Sequence, residues 1–414
     1  MVAIRPFAAL RYDPSRAGRL DEIIAPPYDV IDAALQDQLY ARSPYNVVRL
    51  TLGKQFAQDT EQHNRYTRTR QDFLTWQRQG ILRQDPVPAL YIVEHAFESA
   101  GQRCARLGFI ALVELRDPIE QVVYRHEATL AAPKADRAKL LETVPVQCEP
   151  IFCVFPDPGQ TIYARCRQLT QGAPTLQTTG TDQVRVWAIT AAEQIQTLTD
   201  ALSRVAVLIA DGHHRFEVAW ANRARWPAVM TYFASIEDPA LVLGPIHRLV
   251  GGTPDLTRLQ ALCLMTPAGA LDALTRWLSE SDDQRQSNES SRAVRFGLYD
   301  GRTLYQAQVR EAVLQQWLHA PTVPRLIAGL DVAVLHGLVL PSIGFNGHRQ
   351  VQYMADSQRV LDAVDRGEGG CAWLLRPLPL QRVYELAAKG LTLPPKSTFF
   401  YPKIPSGLAM HLLA

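Results

Sequence analysis

The sequence predicts a mixed α/β fold divided between two lobes, and three observations predict it. Short apolar runs rich in β-branched residues alternate with segments of helical periodicity along the chain. At 414 residues the chain exceeds one ordinary core, so two domains, or one enlarged by insertions, are expected. The alternation restarts after Gly251-Gly252, which sets the expected boundary between residues 1–250 and a C-terminal α/β lobe over residues 251–414.

The first apolar runs are "LYIVEHAF" from Leu90, "RLGFIALVEL" to Leu115, "EPIFCVF" around Ile151, "VRVWAI" around Val186 and "RVAVLIA" to Ala210, each the length of a buried strand. Between them "TEQHNRYTRTRQDFLTWQRQG" reads as an amphipathic helix closed by Gly80, and "PKADRAKLLETV" as one opened by Pro133. In the second half Asp300-Gly301 suits a tight turn between the two strands of "VRFGLYDGRTLYQAQV". The polar tract Ser279 to Arg292 before it reads as a surface loop. The last third runs helix "LDVAVLHGLVL", strand "VQYMAD", helix "SQRVLDAVDRG", strand "CAWLLRP" and helix "PLQRVYELAAKG", a βαβ-like rhythm.

Composition narrows the function classes. Hydrophobic residues are 47% and charged residues 20% of the chain, and no apolar run approaches the roughly eighteen residues needed to cross a bilayer, so a soluble protein with no membrane partner is expected. The start "MVAIRPFAALRYDP" is broken by Arg5, Pro6 and Arg11 and does not read as an export signal. Lys plus Arg (43) balances Asp plus Glu (41), which gives no net field of the kind that draws nucleic acid or anionic membrane. None of the six cysteines forms a C-x-x-C pair, which fits reduced, buried thiols in a cytoplasmic protein.

One stretch carries chemistry. In "VAVLIADGHHRFEVAW" the run Val205–Ala210 reads as a buried strand, and Phe216, Ala219 and Trp220 recur at helical spacing. Asp211-Gly212-His213-His214-Arg215 therefore occupies a strand-to-helix joint. Gly212 permits a tight turn or close backbone approach, and the free N–H groups of the first helical turn attract anions. Arg215 can fork a phosphate, His213 and His214 can donate to its oxygens, and Asp211 can hold a divalent metal or accept a hydroxyl proton. The plainer reading makes Asp211 an N-cap, the histidines spacers and Arg215 a surface partner. Five polar groups together directly after a buried strand favour a ligand.

The weaker constellations lie to either side. "RHEATLAAPKADR" places Arg125, His126, Glu127, Lys134, Asp136 and Arg137 at a helix start, the materials of a general base with phosphate clamps or of a solvated helix face. "APPYDV" stiffens a turn so that Tyr28 and Asp29 project in a fixed way. "PPKSTFFYPK" brings the cation Lys396 after two prolines, either to a cleft or to a surface loop. "FNGHRQ", Phe345 to Gln350, echoes the central motif but follows no apolar strand, and reads as coincidence.

"ADGHHRFEVA" resembles the signature of the ParB/sulfiredoxin-like superfamily, and its D-G-H-H-R form resembles that of the free serine kinases. The wider chain resembles a full-length prokaryotic family through "IRPFAALRY", "IIAPPYDVI", "YARSPYNVVRLTLG", "RHEATLAAPKADRAKLL", "EDPALVLGPIHRLV", "LLRPLPLQ" and "PPKSTFFYPKIPSGL". The resemblance implies a ParB/sulfiredoxin-like nucleotide-binding core with insertions, carrying ATP or ADP and Mg2+. Sulfiredoxins have a catalytic cysteine where this chain has His213, so sulfinic acid repair is not expected. No helix-turn-helix signal accompanies the motif, so no nucleic acid is expected.

The expected activity is transfer of phosphate from ATP or ADP to the hydroxyl of a small substrate such as a free serine. Glu127, His126 and Asp211 are its expected catalytic residues, and Asp211 also its metal ligand. Gly212, His213, His214, Arg215, Lys134, Arg137 and Lys396 are the expected nucleotide contacts. A nucleotide-binding regulatory protein with little turnover is the alternative. The acceptor and the oligomeric state, a homo-oligomer included, stay open.

Overall fold

The computed structural model describes residues 1–99, 101–180, 182–280, 293–345 and 351–413. The chain divides into two compact units: Met1–Arg125 with Thr129–Val242 and Pro402–Ala414, and His126–Ala128 with Leu243–Tyr401. Both mix helices with sheets, so the fold class is mixed α/β. No helix among the described residues is long and apolar enough to cross a membrane.

The first unit is organised by a central sheet of β1 (Ile4–Arg5), β2 (Leu90–Ser99), β3 (Gln102–Glu114), β4 (Val123–Tyr124), β5 (Ile151–Phe155), β6 (Leu176–Gln177), β7 (Gln183–Ile189), β8 (Val207–Asp211) and β9 (Ala228–Ser235). Across the sheet the order is β4-β8-β5-β9-β3-β2-β7-β6, and β1 pairs with the far end of β3. The pairs β4–β8 and β5–β9 are parallel and the rest are antiparallel. All five expected strand runs of this region are therefore present. Strand residues alternate between faces. Leu107, Phe109, Ala111 and Val113 of β3, with Cys153, Val207 and Ile209, form one core with Ile162, Cys166, Leu198, Leu202, Phe216 and Ala219.

Among the helices of this unit are α1 (Arg65–Arg78), α2 (Ala131–Thr143), α3 (Thr161–Leu169), α4 (Ala192–Ser203) and α5 (His213–Ala221). Asn64 caps α1 through a capping box with Thr67, and Gly80, at φ +69°, ends it where the sequence placed its stop. In α2 the expected first residue, Pro133, comes third, because the helix already begins at Ala131.

Two features depart from the expected division. The contact boundary falls at Val242–Leu243 rather than near Gly251-Gly252, and the last residues rejoin the first unit. Met410 exchanges backbone hydrogen bonds with Leu10, and His411–Leu412 pairs with Val146–Gln147. Sequence adjacency cannot reveal such a return, because it depends on pairing between distant short strands.

The second unit holds β10 (His247–Val250), β11 (Cys263–Pro267), β12 (Arg295–Tyr299), β13 (Leu304–Val309), β14 (Val351–Met354) and β15 (Cys371–Leu374), ordered β11-β13-β12-β15-β10-β14. Its recorded pairs are all antiparallel, which corrects the βαβ-like expectation. Alternation of strand and helix does not by itself require parallel crossovers. The β12–β13 hairpin turns at Asp300-Gly301 as expected: Asp300 Oδ1 accepts from the N–H groups of Arg302 and Thr303, and Gly301 has φ +84°. Most of the loop predicted over Ser279 to Arg292, and residues 346–350 of the "FNGHRQ" echo, lie outside the described residues.

Five cysteines are buried and Cys104 is half-buried; all six are free, in keeping with small hydrophobic roles. Burial raises the thiols of Cys148, Cys153, Cys166, Cys263 and Cys371 above their ordinary pKa, which keeps them protonated and unreactive.

Candidate functional site

The joint is built as its residues require. β8 ends at Asp211, Gly212 takes a left-handed conformation (φ +92°, ψ 27°), and α5 begins at His213. Gly212 is the N-cap, so Asp211 is not the N-cap that the plainer reading supposed. A Cβ at Gly212 would meet Ile151 Cγ2 at 3.0 Å and Arg215 Cζ at 3.1 Å, and the left-handed φ adds strain, so glycine is the residue that fits.

Asp211 divides its carboxylate between two cations. Oδ1 accepts from Lys403 Nζ at 2.5 Å and Oδ2 from Arg215 Nη2 at 2.7 Å. Lys403 also donates to Asp29 Oδ2 at 2.8 Å, so one ammonium bridges two carboxylates. Burial alone would lower the pKa of Lys403, but Asp211 and Asp29 raise it above its ordinary value and keep it charged. Arg215 is likewise half-buried and held charged by Glu149, Asp211 and Asp29. Its Nη1 donates to the Pro150 carbonyl at 2.5 Å, while its buried Nε has no hydrogen-bond partner among the described residues.

Glu149 closes the back of the cluster. Its Oε1 accepts from the Tyr28 N–H and from the Ser406 hydroxyl, both at 2.9 Å. The "APPYDV" turn and the "YPKIPSGL" segment are thereby both anchored at the joint. A cavity of about 70 Å3 opens beside Arg215, lined by Thr51, Arg137, Glu149 and an apolar wall that includes Leu140, Val218 and Val229.

The other expected residues of this unit are engaged elsewhere. His213 is buried as the first residue of α5, and His214 Nε2 accepts from the Leu130 N–H at 2.9 Å. Lys134 Nζ contacts Glu217 at 2.9 Å, in a group with Thr129 and Arg125. Arg137 lies 4.0 Å over the Tyr28 ring, donates to the Thr51 carbonyl at 2.6 Å and pairs with Asp136. The first unit thus brings together Asp211, Gly212, His213, His214 and Arg215, with Arg137 at the adjoining cavity.

His126, Glu127 and Lys396 belong to the second unit. Glu127 Oε1 accepts from the Lys396 N–H at 3.2 Å, and His126 Nε2 meets Thr398 Oγ1 at 2.7 Å. Lys396 is exposed and takes φ +57°, a left-handed conformation unusual for a residue with a side chain.

Lys403 and Glu149 were not singled out from the sequence. A lysine between prolines, as in Pro402-Lys403-Ile404-Pro405, and a carboxylate leading directly into the buried strand after Pro150, were the available signals.

The family is settled by the match of a family model over residues 4–333, described as a protein of unknown function, DUF1015. The chain belongs to the DUF1015 family. No curated protein matches it. Among solved structures it is similar to a conserved hypothetical protein from Pyrococcus furiosus, at 12% identity and TM-score 0.35, over 72% of this chain and 94% of that one. It is similar to a free serine kinase in complex with AMP at 11% identity and TM-score 0.37, over 73% and 91%. SbnI with a C-terminal truncation, from Staphylococcus aureus, gives 13% identity and TM-score 0.38 over 73% and 87%. Likeness at this level fixes no activity for this family member.

Proposed function

We propose that this DUF1015 protein is a small-molecule phosphotransferase that uses ATP or ADP with Mg2+. The observation that carries the reading is the Asp29–Lys403–Asp211 bridge at the start of α5. Phosphoryl transfer asks chiefly for positioning and charge neutralisation. A helix start and two half-buried cations supply the second. Mg2+ is commonly held by one or two carboxylates together with substrate phosphates and water, so Asp29 and Asp211 fit it as an all-oxygen pair. When bound, it would neutralise phosphate charge.

Within this reading Arg215 and Lys403 hold phosphate oxygens, exchanging part of their present carboxylate contacts for them. The first-turn N–H groups of α5 orient the same oxygens. The acceptor's hydroxyl oxygen forms the new bond to the terminal phosphorus, whose bond to the bridging oxygen breaks, and the nucleotide departs one phosphate shorter. Glu127 is assigned the hydroxyl proton on its sequence context. Lys134 and Arg137 already have partners in Glu217, Asp136 and the Thr51 carbonyl, and the reading does not need them.

The test is a screen of phosphate transfer from ATP and ADP across free amino acids and other small alcohols, with and without Mg2+. Metal-dependent transfer that Lys403→Met abolishes supports the reading. A wild type that binds nucleotide but transfers to nothing replaces it with a regulatory nucleotide-binding protein. A wild type that binds no nucleotide removes both.

A further inference from the structure

The face of the central sheet opposite the α3–α5 core carries a fully buried arginine. Leu107 and Phe109 point into that core, so Arg106 and Gly108 point the other way. Arg106 is 0% exposed, and its Nε, Nη1 and Nη2 have no hydrogen-bond partner among the described residues. Its guanidinium lies 4.7 Å from the Phe152 ring and 5.5 Å from the Tyr232 ring. Asp238 lies in its field, but its Oδ2 accepts from the Leu107 N–H and its Oδ1 from the Ala240 N–H.

Two further buried polar atoms sit beside it. His95, directly across from Arg106 in the β2–β3 ladder, has an unpartnered Nδ1, and the Tyr232 hydroxyl faces the Arg106 guanidinium at the edge of hydrogen-bonding geometry. Tyr232 reaches this position because residue 108 is glycine: a Cβ there would come within 2.6 Å of the Tyr232 hydroxyl. Burial and the Arg106 charge lower His95 to about 3, so the imidazole is neutral and can present an N–H at Nδ1. Phe152, under the guanidinium, is the β5 register partner of Asp211.

Buried polar groups are almost always hydrogen-bonded, and a buried unpaired charge is among the costliest features a fold can hold. Three such groups on neighbouring positions of one sheet face call for a partner that is negative and rich in acceptors. We propose that Arg106, the Tyr232 hydroxyl and His95 Nδ1 form a buried site for the oxyanion end of a small ligand, a phosphate or a carboxylate. The planar fork of Arg106 takes two oxygens, and Tyr232 and His95 donate to the remaining lone pairs. The site stands whether or not the α5 joint binds nucleotide.

The test is thermal unfolding and calorimetric titration of the full chain in a buffer free of oxyanions, with inorganic phosphate and acetate added as separate probes. One of the two should raise the wild-type Tm and bind, and which one it is names the head group. Arg106→Met, of similar length and uncharged, should be more stable than wild type without anion and should lose at least tenfold in anion affinity. Tyr232→Phe keeps the ring and should weaken the same anion severalfold, which preserves the test if Arg106→Met does not fold. A response kept in Arg215→Ala belongs to this site and not to the joint. Neither anion binding wild type, or equal binding by wild type and Tyr232→Phe together with a destabilised Arg106→Met, overturns the proposal.

Discussion

Two aspartate–arginine pairs, one buried and one half-buried, sit in the two units and are built differently. In the second unit Arg376 gives Nε to Asp331 Oδ2 at 2.7 Å and Nη2 to Oδ1 at 2.9 Å, and Nη2 also reaches the Ala293 carbonyl at 2.8 Å. Both carboxylate oxygens go to one guanidinium, and the pair is closed. In the first unit Asp211 splits its oxygens between Arg215 and Lys403, and Lys403 is itself shared with Asp29. A closed pair offers a ligand nothing without first breaking the fold. A shared one can redistribute its contacts when a charge arrives, and this sharing is what distinguishes the two pairs.

The largest effect should come from breaking the closed pair. Arg376→Met leaves the Asp331 carboxylate buried and unpaired, and should cost about 3–5 kcal/mol of stability. Chemical denaturation measures it. A loss below about 1 kcal/mol would mean that the pair is not the staple its geometry describes.

The second comparison is between stability and turnover. If Glu127 takes the acceptor proton, Glu127→Gln should lower transfer by roughly a hundredfold or more while leaving nucleotide affinity and melting temperature near wild type. The side chain keeps its shape and can still accept from the Lys396 N–H. Near-full turnover would move the base elsewhere, with Asp29 and Asp211 next to be tested by the same assay.

How far this contrast was legible in the sequence depended on range. The strand runs and the strand–glycine–helix joint followed from local patterning, because β-branched runs and a period of three to four report burial directly. Gly80 and Asp300-Gly301 were readable for the same reason, each being set by a backbone conformation that only neighbouring residues impose. Lys403 was not readable. It reaches Asp211 from far along the chain, and its flanking prolines alone do not set it above Lys396, which the sequence favoured. Arg106 was hidden differently: within "RCARLGFIALVEL" it looks like a strand-end charge, and only three-dimensional packing shows it buried.

Arg215 tests whether the shared pair is open to ligand. Arg215→Ala should weaken ATP and ADP binding by about 2 kcal/mol, through loss of a charge-assisted fork, with the fold retained. Calorimetry on the folded variant decides it. Unchanged affinity would make Arg215 a tie between Asp211 and the Pro150 carbonyl, of the same kind as Arg376.

The smallest effect is expected where the sequence proposed a clamp and the structure shows a surface group. Lys134 is more than one-third exposed and meets Glu217 at 2.9 Å, where Thr129 also donates to the carboxylate. Burial would raise the Glu217 carboxyl, but Lys134, Thr129 and Arg125 outweigh it and hold it below the ordinary carboxylate range. Exposed pairs contribute less than about 1 kcal/mol, and here the Thr129 hydrogen bond survives the loss of the lysine. Lys134→Met should therefore change stability by less than about 1 kcal/mol and leave nucleotide affinity within a factor of two. Paired denaturation and calorimetry check both. A tenfold loss of nucleotide affinity at unchanged stability would show that Lys134 leaves Glu217 for the phosphates, and would place a second shared cation beside the joint.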